Sequence, residues 1–182
     1  MKNLSVGVLT ILCIGNPAHA TSLGLKNFRE LPAALTVATG VPLTTPSIQL
    51  TLKKVASQLP LKGQVEEMSS PYILAVTELV GDFCQEMITQ ESAKPAAERL
   101  AFRDVDFKVG PKQFVPATKD AVINELSDIF WGRGPTGEEM ASLKQSVDEG
   151  ATGVSTSSTA ETTNLMKILC STFGTSLEFL ID

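Results

Sequence analysis

Two of the three cysteines, those outside the N-terminal apolar run, one arginine in a glycine-rich corner and a few paired acids are the residues here whose types could do chemistry. Cys84 and Cys170 lie far apart in sequence, each in the middle of an apolar stripe with helical spacing. In an exported protein an even pair of cysteines is first of all a disulfide. Two facing helices can bring their Cβ atoms to the ~3.8 Å that such a bond needs. The alternative is a pair of buried free thiols. The corner FWGRGPTGEE, Phe130 to Glu139, has the glycines of a phosphate loop. Such a loop needs Lys-Ser/Thr leading into a helix, whereas Glu138 and Glu139 would repel phosphate. Local rules account for the corner instead. Gly132 and Gly134 permit a reversal, Pro135 forbids continuation of the helix, and Thr136 with Glu139 forms a capping box. Arg133 is left over. Its expected role is to bond the carbonyls that end the preceding helix, and it is the one candidate surface contact in the corner.

The remaining acids and hydroxyls point away from catalysis. Glu66–Glu67 and Glu138–Glu139 are neighbours in sequence, and neighbours on a helix do not face each other. Acid–base work needs two carboxyls held apart around a substrate. Thr51 and Lys54 are the nearest approach to a hydroxyl–lysine dyad. Asp104 and Asp106 resemble the start of a calcium loop, but Lys108 and Val115 stand where further oxygen ligands belong.

Histidine chemistry is excluded after residue 20, because His19 is the only histidine. That removes a Ser-His-Asp or Cys-His relay, histidine-bound zinc and C-x-x-C-H haem attachment. No catalytic, cofactor-binding or metal-ligating residue is expected, and no cofactor.

Lys2, the apolar run Leu4 to Gly15 and the small residues Ala18 and Ala20 form a signal peptide with cleavage expected after Ala20. Cys13 is preceded by the large Leu12, which argues against lipidation. Losing Lys2 makes the remainder one unit more acidic than the −5 of the whole chain. An acidic chain without a basic run is a poor partner for nucleic acid. No later stretch is long and apolar enough for stable membrane insertion. The expected location is the periplasm or beyond.

Residues 21–182 read as a single all-α domain, a compact bundle of five to seven helices with one irregular extended segment. Helices are predicted over 23–38, 47–59, 71–88, 117–131, 137–148 and 159–180, from apolar residues at three- and four-residue steps. Ser70 and Pro71 mark the start of the best specified, and Ser158 with Glu161 caps the last. Val105, Phe107 and Val109 alternate with polar residues and predict an extended piece, pinned by Phe102, Phe107 and Phe114.

Two stretches carry a resemblance. LPAALTVATGVPLTTPSIQLTLKKVASQLP with SSPYILAVTELVGDFCQEMI is similar to a helical region of large exported proteobacterial proteins. Some of those proteins also carry lectin-like sandwich domains. DIFWGRGPTGEE with LCSTFGTSLEFLID resembles the helical end of domains found beside cytochrome-like modules. The resemblance implies export and an accessory role, and carries over no functional residue. This chain has no lectin-like or haem-binding module of its own. The expected function is an exported, non-catalytic accessory or protein-interaction domain, with another exported protein as partner. A carrier with an apolar pocket between helices, or a hydrolase using carboxylates alone, are the other readings.

Overall fold

A computed structural model describes residues 24–61, 68–152 and 158–181. The leader and its Ala20 cleavage site, Glu66 and Glu67 lie outside the described residues. The described residues form seven α-helices: α1 Glu30–Thr39, α2 Pro46–Val55, α3 Ser70–Ala93, α4 Pro116–Trp131, α5 Gly137–Thr152, α6 Thr159–Gly174 and α7 Leu177–Leu180. Two 3-10 turns, Ala96–Glu98 and Pro111–Gln113, interrupt the long α3–α4 connection. The all-helical architecture agrees with the sequence pattern.

The central element is α3. Its predicted stripe, including Tyr72, Val76, Leu79, Val80, Phe83, Cys84, Met87 and Ile88, is buried throughout. It packs on α1 and α2 to one side and α6 to the other, within one continuous apolar cluster. Against α6 it runs antiparallel. Cys84 meets Cys170, and one helical turn away Val80 lies against Gly174. Against α2 the register is set by polar pairs. Ser47 donates to Glu86 at 2.6 Å, Thr51 donates to Asp82, and Lys54 pairs with Glu78. Glu78, Asp82 and Glu86 are one turn apart along α3, so α2 takes up a whole acidic stripe.

Several boundaries differ from the sequence reading. The first helix begins at Glu30 rather than Leu23. Residues 24–29 run irregularly, and Asn27 Oδ1 accepts from the amides of Arg29 and Glu30. Pro32 then falls in the first turn, where its missing N–H costs nothing. Ser69, not Ser70, caps α3, accepting from the Tyr72 amide. The second helix stops at Val55, and α5 runs on to Thr152.

The predicted last helix is two helices. Gly174 is packed so closely that a Cβ would sit 2.6 Å from Val80 Cγ1. Beyond it, Ser176 leaves helical geometry and its hydroxyl accepts from the Phe179 amide, starting α7. Leu25 and Ile181 form an antiparallel bridge, with Lys26 N–H donating to Leu180 O at 2.8 Å. The described ends of the chain therefore meet.

The alternating piece 105–109 is not extended. Two tight turns run through 102–109: Val105 N–H closes onto Phe102 O, and Val109 N–H onto Asp106 O, where Asp106 Oδ1 also accepts from the Lys108 amide. Period-two apolarity arises here because Val105 and Phe107 tuck successive turns inward, not because a strand forms. Phe102 and Phe114 are buried as expected, and Phe107 meets Phe102 edge to face.

Candidate functional site

The FWGRGPTGEE corner folds as local rules dictate. Gly132 caps α4 in the left-handed region at φ 66°, which glycine adopts without a Cβ penalty. Thr136 N–H donates to Glu139 Oε2 at 2.7 Å and Glu139 N–H to Thr136 Oγ1 at 3.3 Å, the reciprocal capping box. Arg133 does not serve the carbonyls ending α4. It donates Nη1 and Nη2 to the two carboxylate oxygens of Glu139, Nε to Glu178 at 3.0 Å, and Nη1 also to Gly134 O. It also lies 5.2 Å from the Trp131 ring centre.

Trp131 Nε1 donates to Ser176 Oγ at 2.7 Å, and Ser176 Oγ donates to Phe173 O. The corner and α7 are thus laced together across 45 residues of sequence. The fork to Arg133, aided by the Thr136 amide, lowers the Glu139 carboxyl to about 2, and the same fork raises the Arg133 guanidinium. Arg133 spends four of its five N–H donors within the chain, and one on Nη2 remains for a surface contact.

Cys84 and Cys170 are bonded to each other, both fully buried, with Cα atoms 5.8 Å apart. No sulfur is presented to solvent for redox work at this position.

Thr51 and Lys54 do not form a dyad, since Thr51 turns to Asp82 and Lys54 to Glu78. Glu138 and Glu139 diverge, as adjacency on a helix requires. Among the described residues no group of three acids, cysteines or histidines could hold a metal ion. No described helix is long and apolar enough to cross a membrane.

The most elaborate polar construction lies in the 94–110 segment, which in the sequence reads as a short helix at KPAAERLAF followed by an extended piece pinned by phenylalanines. Glu91, buried at the end of α3, accepts from the Leu100 and Ala101 amides and pairs with Lys94 at 2.6 Å. Glu125, partly buried on α4, accepts from the next two amides, Phe102 at 2.6 Å and Arg103 at 3.4 Å. Burial pushes the Glu125 carboxyl above its ordinary value, against the pull of those two amides. Four consecutive N–H groups are thus held by carboxylates from two helices. Between them Phe102 takes φ 63°, the left-handed region.

Arg99 completes the frame. Its Nε donates to Lys94 O, its Nη1 to Phe102 O and Val105 O, and its guanidinium lies 5.1 Å from the Phe107 ring centre. Helical periodicity could not reveal this, because Glu91 and Glu125 occupy ordinary helix positions. The only signal was the density of Arg and Asp in RLAFRDVDFK.

This frame lines an open groove of about 440 Å³ bearing Arg99, Arg103, Asp104, Asp106 and Lys108. Two other clefts, one of about 450 Å³ along α5 and one of about 110 Å³ between α4 and α5, share Lys144 and Asp148. There Lys119 pairs with Asp148 and Lys144 with Asp120, so these side chains brace the two helices. All three clefts carry charges.

No family model, no curated protein and no solved structure matches this chain.

Proposed function

We propose that this chain is an exported, non-catalytic interaction domain of the periplasm, acting with another exported protein. The observation that carries the reading is what the candidate chemical groups are used for. Glu139 and Glu178 hold Arg133, Glu91 and Glu125 hold backbone amides, and Thr51 and Lys54 hold the acids of α3. Groups spent on holding the fold are poor acids, bases and nucleophiles. The leader pattern of residues 1–20 and the buried Cys84–Cys170 bond both support an oxidising compartment. The resemblance of residues 31–60 and 69–88 to a helical region of large exported proteins, and of 128–139 and 169–182 to the helical end of domains found beside cytochrome-like modules, supports an accessory role. The described clefts, open and lined by charges, favour a protein surface over an apolar carrier.

Expression with its leader, mild release of the periplasm and purification through a C-terminal tag test this reading. It expects recovery of processed chain beginning at Thr21 with one reproducible protein partner. A monomer carrying stoichiometric lipid, or chain retained in the cytoplasm, overturns it.

A further inference from the structure

The 94–110 segment is held more firmly than a connector between two helices requires. A buried carboxylate such as Glu91 is costly unless several donors satisfy it. A non-glycine residue in the left-handed region, such as Phe102, stores strain of a kind that concentrates at ligand clamps. What the frame fixes in place is the charged rim of the groove.

The donors on that rim are open. Arg99 is anchored through Nε and Nη1, and its Nη2 makes no hydrogen bond among the described residues. Arg103 uses only Nε, on the Arg99 carbonyl. Lys108 Nζ has no partner among the described residues, and neither arginine forms an ion pair with Asp104 or Asp106 there. Lys54, Lys94, Lys119, Arg133 and Lys144 each meet a carboxylate, whereas Arg29, Lys53 and Lys167, like the groove cations, form no ion pair among the described residues. The groove therefore gathers three cations without direct ion pairs among the described residues, beside two aspartates, on backbone held rigid before any ligand arrives. Preorganised guanidinium groups suit carboxylates, which they bind through paired donors.

We infer that this groove docks an acidic segment of the partner protein, its carboxylates meeting Arg99, Arg103 and Lys108. The inference rests on the reading of the chain as an interaction domain. Asp104 and Asp106, set among the cations, reject a continuous polyanion. They favour a segment whose acids are separated by neutral or basic residues.

The test is an amide chemical-shift titration of the labelled 21–182 domain at low salt. The probe is a hexapeptide of alternating glutamate and glycine. Parallel arms use inorganic phosphate and the lysine–glycine analogue. The expected result is shifts concentrated in 99–108. Arg103→Ala with Lys108→Ala should weaken binding about fivefold or more, and Lys108→Ala alone should weaken it while melting stays unchanged. Shifts lying elsewhere, an unaffected double variant, equal binding of the lysine peptide, or phosphate reproducing the response each overturn it. Periplasmic purification of the double variant separates the two readings. If it retains the wild-type partner in full, the groove assignment fails and the interaction reading survives. If wild type recovers no partner, the interaction reading fails and the titration still decides the groove.

Discussion

Arg133 and Glu139 face each other fork to fork, two nitrogens to two oxygens, at 2.9 and 3.0 Å. The fork holds Glu139 at about 2, below its ordinary 4.5. A depressed carboxylate contributes stability above its unfolded value and loses it as pH falls through the folded one. The Tm advantage of wild type over Glu139→Gln should therefore be present at pH 5 and vanish on titration from 4.5 toward 2. Arg133→Lys keeps the charge but not the fork, and should behave like the glutamine variant. Thermal unfolding followed by Trp131 fluorescence reads this, since the indole lies beside the fork. A constant wild-type advantage down to pH 2 contradicts it.

Glu125 runs the other way. Its folded value is raised by burial, so the folded state carries a proton more readily than the unfolded chain. The stability tied to that proton is complete below the ordinary 4.5 and is lost as pH rises through the folded value. Glu125→Gln is uncharged at every pH and keeps one acceptor for Phe102 N–H. It should melt no lower than wild type at pH 7, whereas Glu125→Ala should melt lower. Glu91→Ala strands the amides of Leu100 and Ala101 and should cost about 2–4 kcal/mol by denaturant unfolding. A Glu91→Ala variant as stable as wild type would mean that the 100–103 turn is held some other way.

Two glycines make a paired prediction. Gly81 lies inside α3, and a methyl group placed on its Cα would meet nothing within 4 Å, so Gly81→Ala should stabilise by about 0.5–1 kcal/mol. At Gly174 the same methyl meets Val80 at 2.6 Å and Phe130 at 3.2 Å, and Gly174→Ala should destabilise by about 1–3 kcal/mol. Equal effects of the two changes would refute the packing described between α3 and α6.

Thiol counting on denatured, unreduced protein purified from the periplasm should find no free thiol among Cys84 and Cys170. Cys84→Ala with Cys170→Ala should lose roughly 3–5 kcal/mol, the chain-entropy value for closing so long a loop. Two free thiols in the purified protein would rule the bond out.

Much of the helical frame was legible because it obeys one period. The stripe from Tyr72 to Ile88, the capping box at Thr136 and Glu139 and the glycine ends at Gly40 and Gly132 all follow local rules. Errors fell where a distant contact overrode them. The last helix ends after Gly174, whose side-chain space Val80 and Phe130 occupy, because Ser176 turns extended and caps a new helix. The 105–109 turns read as a strand because inward-facing residues recur at every second position in either case. The candidate groove was least legible, since Glu91 and Glu125 are ordinary helix acids until the fold carries them to the same loop. Arg133 was the one residue left over from the corner, and its partner Glu178 lies 45 positions away.

The Leu25–Ile181 bridge and the Cys84–Cys170 bond together give the domain a mechanical character. A pull applied at residues 25 and 181 first loads the bridge itself, then the segments on either side of the cystine. The 86 steps of chain between the two cysteines bear no tension while the bond stands. Roughly 300 Å of contour length would stay hidden, at about 3.4 Å per residue. Under load the protein would extend as one long and one short arm on a closed ring, and only a reductant would release the rest.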